Sequence, residues 1–311
     1  MQLAPLPEFL SIIISKIFAQ TRLEATMLDL GQLCALIHNG EEKVICEKWL
    51  HRNEKEKLNS LHYEKRHLEW LGGRICAKEA SLRYLLDSHD NQSKQAAIHA
   101  PLLQIMPSAS GRPFLDGKAL PKDLDIPHIS ISHSKGYAMA VAASTHCGID
   151  IQADSKALER IKNHFCSREE EELLGRELKQ LQRPEHLTLL WAAKEAVKKA
   201  TTLESMPGFL DLMLTHIQTT ARDGLVSRVP GRAQERPTAR AGLVSFDPGT
   251  AEERPPPQTE SQTTCLFTLE FQEGQKKSFS RGLQFQVAVC LHQGYGIGLC
   301  VIPSQLGENN A

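Results

Sequence analysis

Apolar positions along the chain follow two rhythms. Between Glu47 and Asp87 they recur at intervals of three, four or seven, with Leu68, Leu71, Ile75, Leu82 and Leu86 forming one stripe. That spacing predicts a helical region with one buried face. Trp191–Ala200 also predicts a helix, since it holds four alanines, a single β-branched residue and neither glycine nor proline. There Leu190, Ala193, Val197 and Ala200 make a small-residue stripe suited to packing on a sheet, while Glu195 lies beside Lys198 and Lys199 with Trp191 one turn behind. The second rhythm is alternation. Ile129–Ser134 reads as a strand ending at Lys135-Gly136, and Tyr137–Ser144 returns as a second strand of very small residues, so the pair predicts a hairpin. Gly148–Gln152, as a strand, buries Ile149 and Ile151 and turns Asp150 and Gln152 to the other face. Cys265–Phe271, Gln284–Leu291 and Tyr295–Ile302 predict further antiparallel strands. Shorter signals predict a strand around Cys34–His38 before a turn at Asn39-Gly40, a strand near Leu102–Met106, and a turn at Asp116-Gly117. Residues 155–190 read as helix, turn, helix, with Ser167 as an N-cap and Glu169, Glu170 and Glu171 in the first turn, where carboxylates favour the dipole. Helices and antiparallel strands together define an α+β class.

Composition narrows the function classes. The chain has 311 residues with 36 lysines and arginines against 37 acidic residues, a net charge of −1. That balance carries no general footprint for nucleic acid, so any anion site is local. Eight cysteines are scattered without a CxxC pair or zinc-type spacing, the usage expected of reduced packing thiols in a cytoplasmic protein. The apolar run Phe9–Ala19 is too short to cross a bilayer and has no basic residue ahead of it; it is expected to cover the core rather than to anchor or export the chain. Thr220–Pro237 recurs as Thr238–Pro255 with 13 of 18 positions identical, and Pro255-Pro256-Pro257 follows. Two copies are too few for a solenoid and Pro-Gly interrupts each, so a flexible surface insertion over 220–257 without catalytic role is expected.

Several residues are chemically conspicuous. Asp150 stands between two isoleucines in a predicted strand, a position where a carboxylate is uncommon and costly unless something positive meets it. Lys194 and Lys198 lie one turn apart, where like charges repel unless an anion sits between them. Arg66, Trp70, Arg74 and Lys78 follow at intervals of four; this ladder suits either an anion or a solvated flank whose long stems cover apolar surface. Pro113 holds Arg112 extended on a stiff loop. Ser132, His133 and Ser134 fall at a strand end, but no GxSxG elbow accompanies them.

Three separated segments, Gly111-Arg112-Pro113 with Ser132-His133-Ser134, then Gly148-Ile149-Asp150-Ile151, then Trp191-x-x-Lys194-Glu195-Ala196-x-x-Lys199, resemble in order and spacing the 4′-phosphopantetheinyl transferase superfamily, in its broad-specificity surfactin-synthetase type. The resemblance covers residues 45–215 well and the final strands loosely. It implies two pseudo-symmetric α+β halves with the active site between them, divided as 1–145 (coenzyme A nucleotide side) and 146–311 (magnesium and catalytic helix). It implies Mg²⁺-dependent transfer of the 4′-phosphopantetheine arm of coenzyme A to a serine of an apo acyl or peptidyl carrier protein, releasing adenosine 3′,5′-bisphosphate. A monomer suffices, and neither nucleic acid nor membrane is an implied partner. By resemblance Asp150, Glu195 and Gln152 hold the metal, Glu195 also deprotonates the carrier serine, and Lys199 and Lys194 meet the pyrophosphate. Arg112, Ser132 and His133 match positions near coenzyme A phosphates, and Arg66, Arg74 and Lys57 match basic residues near the nucleotide. Surfactin-type members carry an acid where this chain has Gln152; an amide oxygen still coordinates but brings no charge, so weaker magnesium binding is expected. A catalytically impaired coenzyme A- or carrier-binding module is the alternative that this departure leaves open.

Overall fold

The structure is a computed structural model, describing residues 17–86, 98–201, 207–221, 224–225, 263–272 and 282–302. The duplicated insertion and the C-terminal tail therefore lie almost wholly outside the described residues, as does most of the apolar N-terminal run, of which Phe18 is seen buried. Among the described residues no helix is long and apolar enough to cross a membrane.

The first part of the chain builds β1 (Leu23–Asp29), then helices α1 (Leu30–His38), α2 (Glu42–Trp49), α3 (Arg52–Asn59) and α4 (Glu64–Leu86). A two-stranded hairpin, β2 (Gln104–Pro107) and β3 (Pro113–Asp116), precedes β4 (His128–Ser134) and β5 (Tyr137–Ala143). β1, β5 and β4 pair in that order as an antiparallel sheet against which α4 packs. The second part opens with β6 (Cys147–Ala153), followed by α5 (Lys156–Ile161), α6 (Arg168–Glu177) and α7 (Arg183–Ala200). It ends with β7 (Leu212–Ala221), β8 (Gly224–Leu225), β9 (Thr264–Phe271), β10 (Gln284–His292) and β11 (Tyr295–Val301), paired in the order β6-β11-β10-β9-β7-β8. Both parts share one plan, a long helix across an antiparallel sheet. A third apolar cluster, including Met27, Met139, Val141, Ile149, Ile151, Ile297 and Leu299, packs the two sheets together on the faces turned away from the helices.

The predicted strand at Cys34–His38 is instead part of α1. Leu30, Leu33 and Ile37 repeat at helical spacing, and the Asp29 carboxylate caps the first turn by accepting from the backbone of Gly31 at 2.7 Å and Gln32 at 3.1 Å. The turn at Asn39-Gly40 follows it, with Gly40 at φ 84. β1 and β7 carry no clean alternation and were not expected.

The two parts repeat a buried device. Lys78 of α4 is fully buried and pairs with Glu54, the third residue of α3, whose other oxygen accepts from Ile105 N of β2 at 3.2 Å. Lys194 of α7 is fully buried and pairs with Glu170, the third residue of α6, at 2.7 Å, while Glu170 accepts from Leu214 N of β7 at 2.7 Å. Each glutamate also closes a capping box, on His51 and on Ser167. The tetrapeptide Ala-Lys-Glu-Ala occurs at both places, 77–80 and 193–196.

Two expectations fall with this device. Lys194 was expected at a phosphate, but its ammonium already donates to Phe165 O at 2.7 Å, Glu170 at 2.9 Å and Phe209 O at 3.0 Å. An ammonium has three protons to give, so none is left for an anion. Burial lowers its pKa and the Glu170 carboxylate opposes that shift. Lys78 likewise leaves the basic ladder for the interior.

Helix α7 lies unusually close to its sheet because glycines face it. A Cβ on Gly148 would meet Ala196 O at 2.0 Å, one on Gly298 would meet Ala192 O at 2.5 Å, and one on Gly296 would meet Thr188 O at 2.8 Å. These contacts are with backbone, which has no rotamer to retreat into.

Gly148→Ala is expected to cost about 2–3 kcal/mol or more in urea unfolding; Gly175→Ala on α6, where nothing lies within 4 Å, is the control and should be neutral or slightly stabilising. Lys194→Met should destabilise by about 3–5 kcal/mol, because it strands a buried carboxylate, and Glu170→Gln in the same chain should recover part of that loss. A Lys194→Met protein of wild-type stability that has lost coenzyme A affinity would return this lysine to the anion site.

Candidate active site

β4 and β6 are the outer strands of the two sheets, and they meet without a shared backbone ladder. Three serines at every second position of β4 bridge the gap. Ser130 Oγ accepts from Ile149 N at 3.1 Å, Ser132 Oγ from Ile151 N at 3.2 Å, and Ser134 Oγ from Ala153 N at 3.0 Å. Alternation brings all three hydroxyls to one side of the strand. Ser132 donates its own proton to Asp150 Oδ1 at 2.8 Å. The expected phosphate neighbour is thus a residue that orients a carboxylate.

Asp150 is 6% exposed. Lys199 of α7 donates to its Oδ1 at 2.7 Å and to Ile149 O at 3.1 Å, which supplies the positive partner that a carboxylate in this strand requires. Asp150 Oδ2 is buried without a hydrogen-bond partner among the described residues. Such an orphan is uncommon, and an oxygen with a free lone pair is what a hard divalent cation takes. Glu195 lies one turn before Lys199 on α7, partly buried, and accepts from Lys198 Nζ at 3.2 Å. Gln152 is half-buried; its amide nitrogen donates to Ala153 O at 2.8 Å, which leaves the amide oxygen as the coordinating end. Asp150, Glu195 and Gln152 offer oxygen donors alone, the chemistry that a hard divalent cation prefers.

Two hollows border this group. One, about 570 Å³, runs along Arg112, Ser130, His146 and Lys199, a size within the range of small-molecule sites. Arg112 reaches across the seam to donate to Lys198 O at 3.0 Å. Burial pushes its pKa down, its Nε is unpartnered, and no carboxylate pairs with it among the described residues. A guanidinium so placed favours an anion. His146 is pushed down to about 4 by burial, with the nearby His128 ring and Arg112 adding to the effect, so it is neutral near pH 7. The second hollow, about 280 Å³, joins Arg66, Trp70, Arg74 and His133 to Gly111 and Pro113 of the same loop. Arg74 lies over the Trp70 ring at 4.7 Å and 3.6 Å from Glu54. Burial lowers the His133 pKa against the pull of Glu69, whose carboxylate is 3.6 Å away.

The structure therefore brings together Asp150, Lys199 and Ser132, carries Glu195 one turn before Lys199 on α7 against Lys198, sets Arg112 and Lys199 along one hollow, and gathers Arg66, Arg74 and His133 in the other. It does not bring in Lys194, and Lys57 is exposed on α3 away from both linings. Sequence reasoning missed Ser130 and His146, and singled out Ser134 and Lys198 without giving either a role; the alternate serines of Ile129–Ser134 were the available signal.

The sequence pattern of the 4′-phosphopantetheinyl transferase superfamily matches residues 146–240, which include β6, α6 and α7. The chain is similar to the holo-[acyl-carrier-protein] synthase of Staphylococcus aureus strain JH9, 30% identical over 105 residues, covering 34% of this chain and 79% of that protein. The protein of the same description from strain Newman is 29% identical over 114 residues, covering 37% of this chain and 86% of its own length. With Asp150 and Glu195 carried on the strand and helix that the family pattern spans, the chain belongs to the 4′-phosphopantetheinyl transferase superfamily.

Proposed function

We propose that this protein moves the 4′-phosphopantetheine arm of coenzyme A to a serine hydroxyl of an apo acyl or peptidyl carrier protein, with Mg²⁺ as its metal and adenosine 3′,5′-bisphosphate as the leaving product. The observation that carries the reading is Asp150, clamped by Ser132 and Lys199 yet left with one buried, unpartnered oxygen. The printed description of the Staphylococcus aureus relatives supports the same substrate pair.

In this reading the serine oxygen attacks the pantetheine-side phosphorus, the bond to the bridging pyrophosphate oxygen breaks, and the serine proton passes to Glu195 directly or through a water. Asp150, Glu195 and Gln152 would hold Mg²⁺, and the bound ion would supply positive charge against the pyrophosphate and the leaving phosphate. Lys199 and Arg112 add positive charge from two sides of the seam. Arg66, Arg74 and His133 line the hollow assigned to the nucleotide phosphates, His133 as a neutral hydrogen-bonding ring. We assign residues 1–145 to the nucleotide side and 146–311 to the metal and catalytic helix, in one cytoplasmic monomer that needs no second copy, nucleic acid or membrane.

Incubated with coenzyme A, Mg²⁺ and an apo carrier protein, the wild-type protein should add the mass of the arm to the carrier. Glu195→Ala should lower that rate by at least about 10²-fold while its melting curve stays unchanged. Retained transfer in a well-folded Glu195→Ala protein removes Glu195 from the mechanism, and no transfer by the wild type across a set of carriers would leave the binding-module reading. Gln152→Glu, by restoring a charge, should lower the Mg²⁺ concentration for half-maximal rate several-fold; an unchanged requirement would turn Gln152 away from the metal.

A further inference from the structure

On the outer side of the first part, α1 meets the first turn of α4. Cys34 and His38 are four residues apart on α1, so both side chains leave the helix on one face. Glu64 is the first residue of α4. Cys34 Sγ lies 3.7 Å from Glu64 Oε1 and 3.9 and 4.0 Å from the two ring nitrogens of His38. His38 Nε2 lies 3.1 Å from Glu64 Oε1. One donor atom from each residue falls within 4.8 Å of the other two, and no other group of three or more His, Cys, Asp or Glu donors does so among the described residues.

We propose that Cys34, His38 and Glu64 form a zinc site with its fourth position open to water. In a tetrahedral zinc centre, Zn–S of about 2.3 Å and Zn–N and Zn–O of about 2.0–2.1 Å place the ligand atoms roughly 3.3–3.6 Å apart. With His38 Nε2 as the nitrogen donor, the separations of 3.1, 3.7 and 4.0 Å found here bracket that range, and side chains this exposed close the difference by small rotations. The donor chemistry selects the metal. One sulfur, one imidazole nitrogen and one carboxylate oxygen suit zinc, whereas magnesium and calcium take oxygen throughout. On binding, the Cys34 thiol gives up one proton, the thiolate and the Glu64 carboxylate offset the 2+ charge of the ion, and a water completes the shell. The ion then ties α1 to α4.

That tie has a structural purpose. α1 is nine residues long and fully buries only Leu30 and Leu33, with Leu36 and Ile37 partly buried against the core, so the ion adds a second tie to its polar outer face. Without metal, the cluster is an exposed His38–Glu64 pair, both side chains about two-thirds in solvent, which contributes little. Cys34 and Glu64 also border a hollow shared with Asp29, Lys135, Tyr137 and Tyr295, whose lining includes none of Asp150, Glu195 and Lys199.

The test is a Co²⁺ titration of the tag-free, metal-stripped full chain under reducing conditions. The expected result is a 1:1 complex with a thiolate-to-cobalt charge-transfer band and the intense visible bands of tetrahedral cobalt, both erased by added Zn²⁺. Cys34→Ser should lose the thiolate band, and His38→Ala should weaken binding at least about tenfold. Zn²⁺ should raise the melting temperature of the wild type but not of Cys34→Ser, while the two melt alike without metal. Absence of the charge-transfer band, its persistence in Cys34→Ser (which keeps the other seven cysteines), or equal zinc affinity in all three proteins would overturn the site. Carrier-protein modification run in parallel should be unaffected by Cys34→Ser, so the outcome here does not depend on the transfer reading.

Discussion

The serine bridge between β4 and β6 is the constraint that the site depends on. An outer strand presents a row of backbone N–H groups that must find acceptors, and β6 finds them in hydroxyls rather than in carbonyls. A backbone ladder would set the strands about 4.8 Å apart; an interposed side chain holds them wider. A hydroxyl also differs from a carbonyl in having a proton to give. Ser132 spends that capacity on Asp150 Oδ1, so closing the seam and aiming the carboxylate are one act of the same atom. An alanine there would leave Ile151 N and Asp150 short of a partner together.

The repeated lysine–glutamate pair fixes the other side of the seam. Because Lys194 is locked by three acceptors inside the second part, α7 cannot turn about its axis without breaking a buried ion pair. Glu195 follows at about 100° around the helix and Lys199 returns to a neighbouring face one turn later, so the azimuth of both is inherited from the buried pair. The first part has the same scaffold with a different outcome. Its corresponding residues, Glu79 and Arg83, close on each other at 2.9 Å, whereas Lys199 crosses to a strand carboxylate. The scaffold is symmetric and the chemistry is not.

Much of this was legible in the chain because periodicity reports burial. α4, α7 and the strands β4, β5, β6, β9, β10 and β11 each present a run long enough for its rhythm to show. α1 is barely two and a half turns, too short for the periodicity of its Cys34–His38 half to separate helix from strand, and the Asp29 cap that decides it is a contact between side chain and backbone. β1 is buried on both faces at Ala25, Thr26, Met27 and Leu28, so it offers no contrast between inside and outside. Asp150 was readable because a carboxylate flanked by isoleucines demands a cation; that Lys199 is that cation was not, since the family resemblance pointed Lys199 at the pyrophosphate. Lys194 was misread because sequence shows that two lysines share a helix but not which one points at Glu170, a residue 24 positions earlier. The repeated Ala-Lys-Glu-Ala marks Lys78 and Lys194 as counterparts, but that each meets a buried glutamate is visible only in the fold.

The glycines of β6 and β11 complete the geometry. Each glycine in a strand costs roughly 0.5–1 kcal/mol relative to alanine, and three face α7 where larger residues would add buried area. The compensation is distance. With no Cβ at 148, 296 and 298, the helix backbone rests directly on the sheet, and residues beside those positions are drawn together. Asp150 is two residues from Gly148, and Glu195 immediately precedes Ala196, whose carbonyl Gly148 touches. The strand that carries Asp150 and the helix that carries Glu195 are thereby held at a backbone separation that bulkier strand residues would widen. The same close seating lets the Lys199 stem span to Asp150 while its helix stays packed. Helix-to-sheet spacing, set by absent side chains, is thus as much a determinant of this site as the charged groups that fill it.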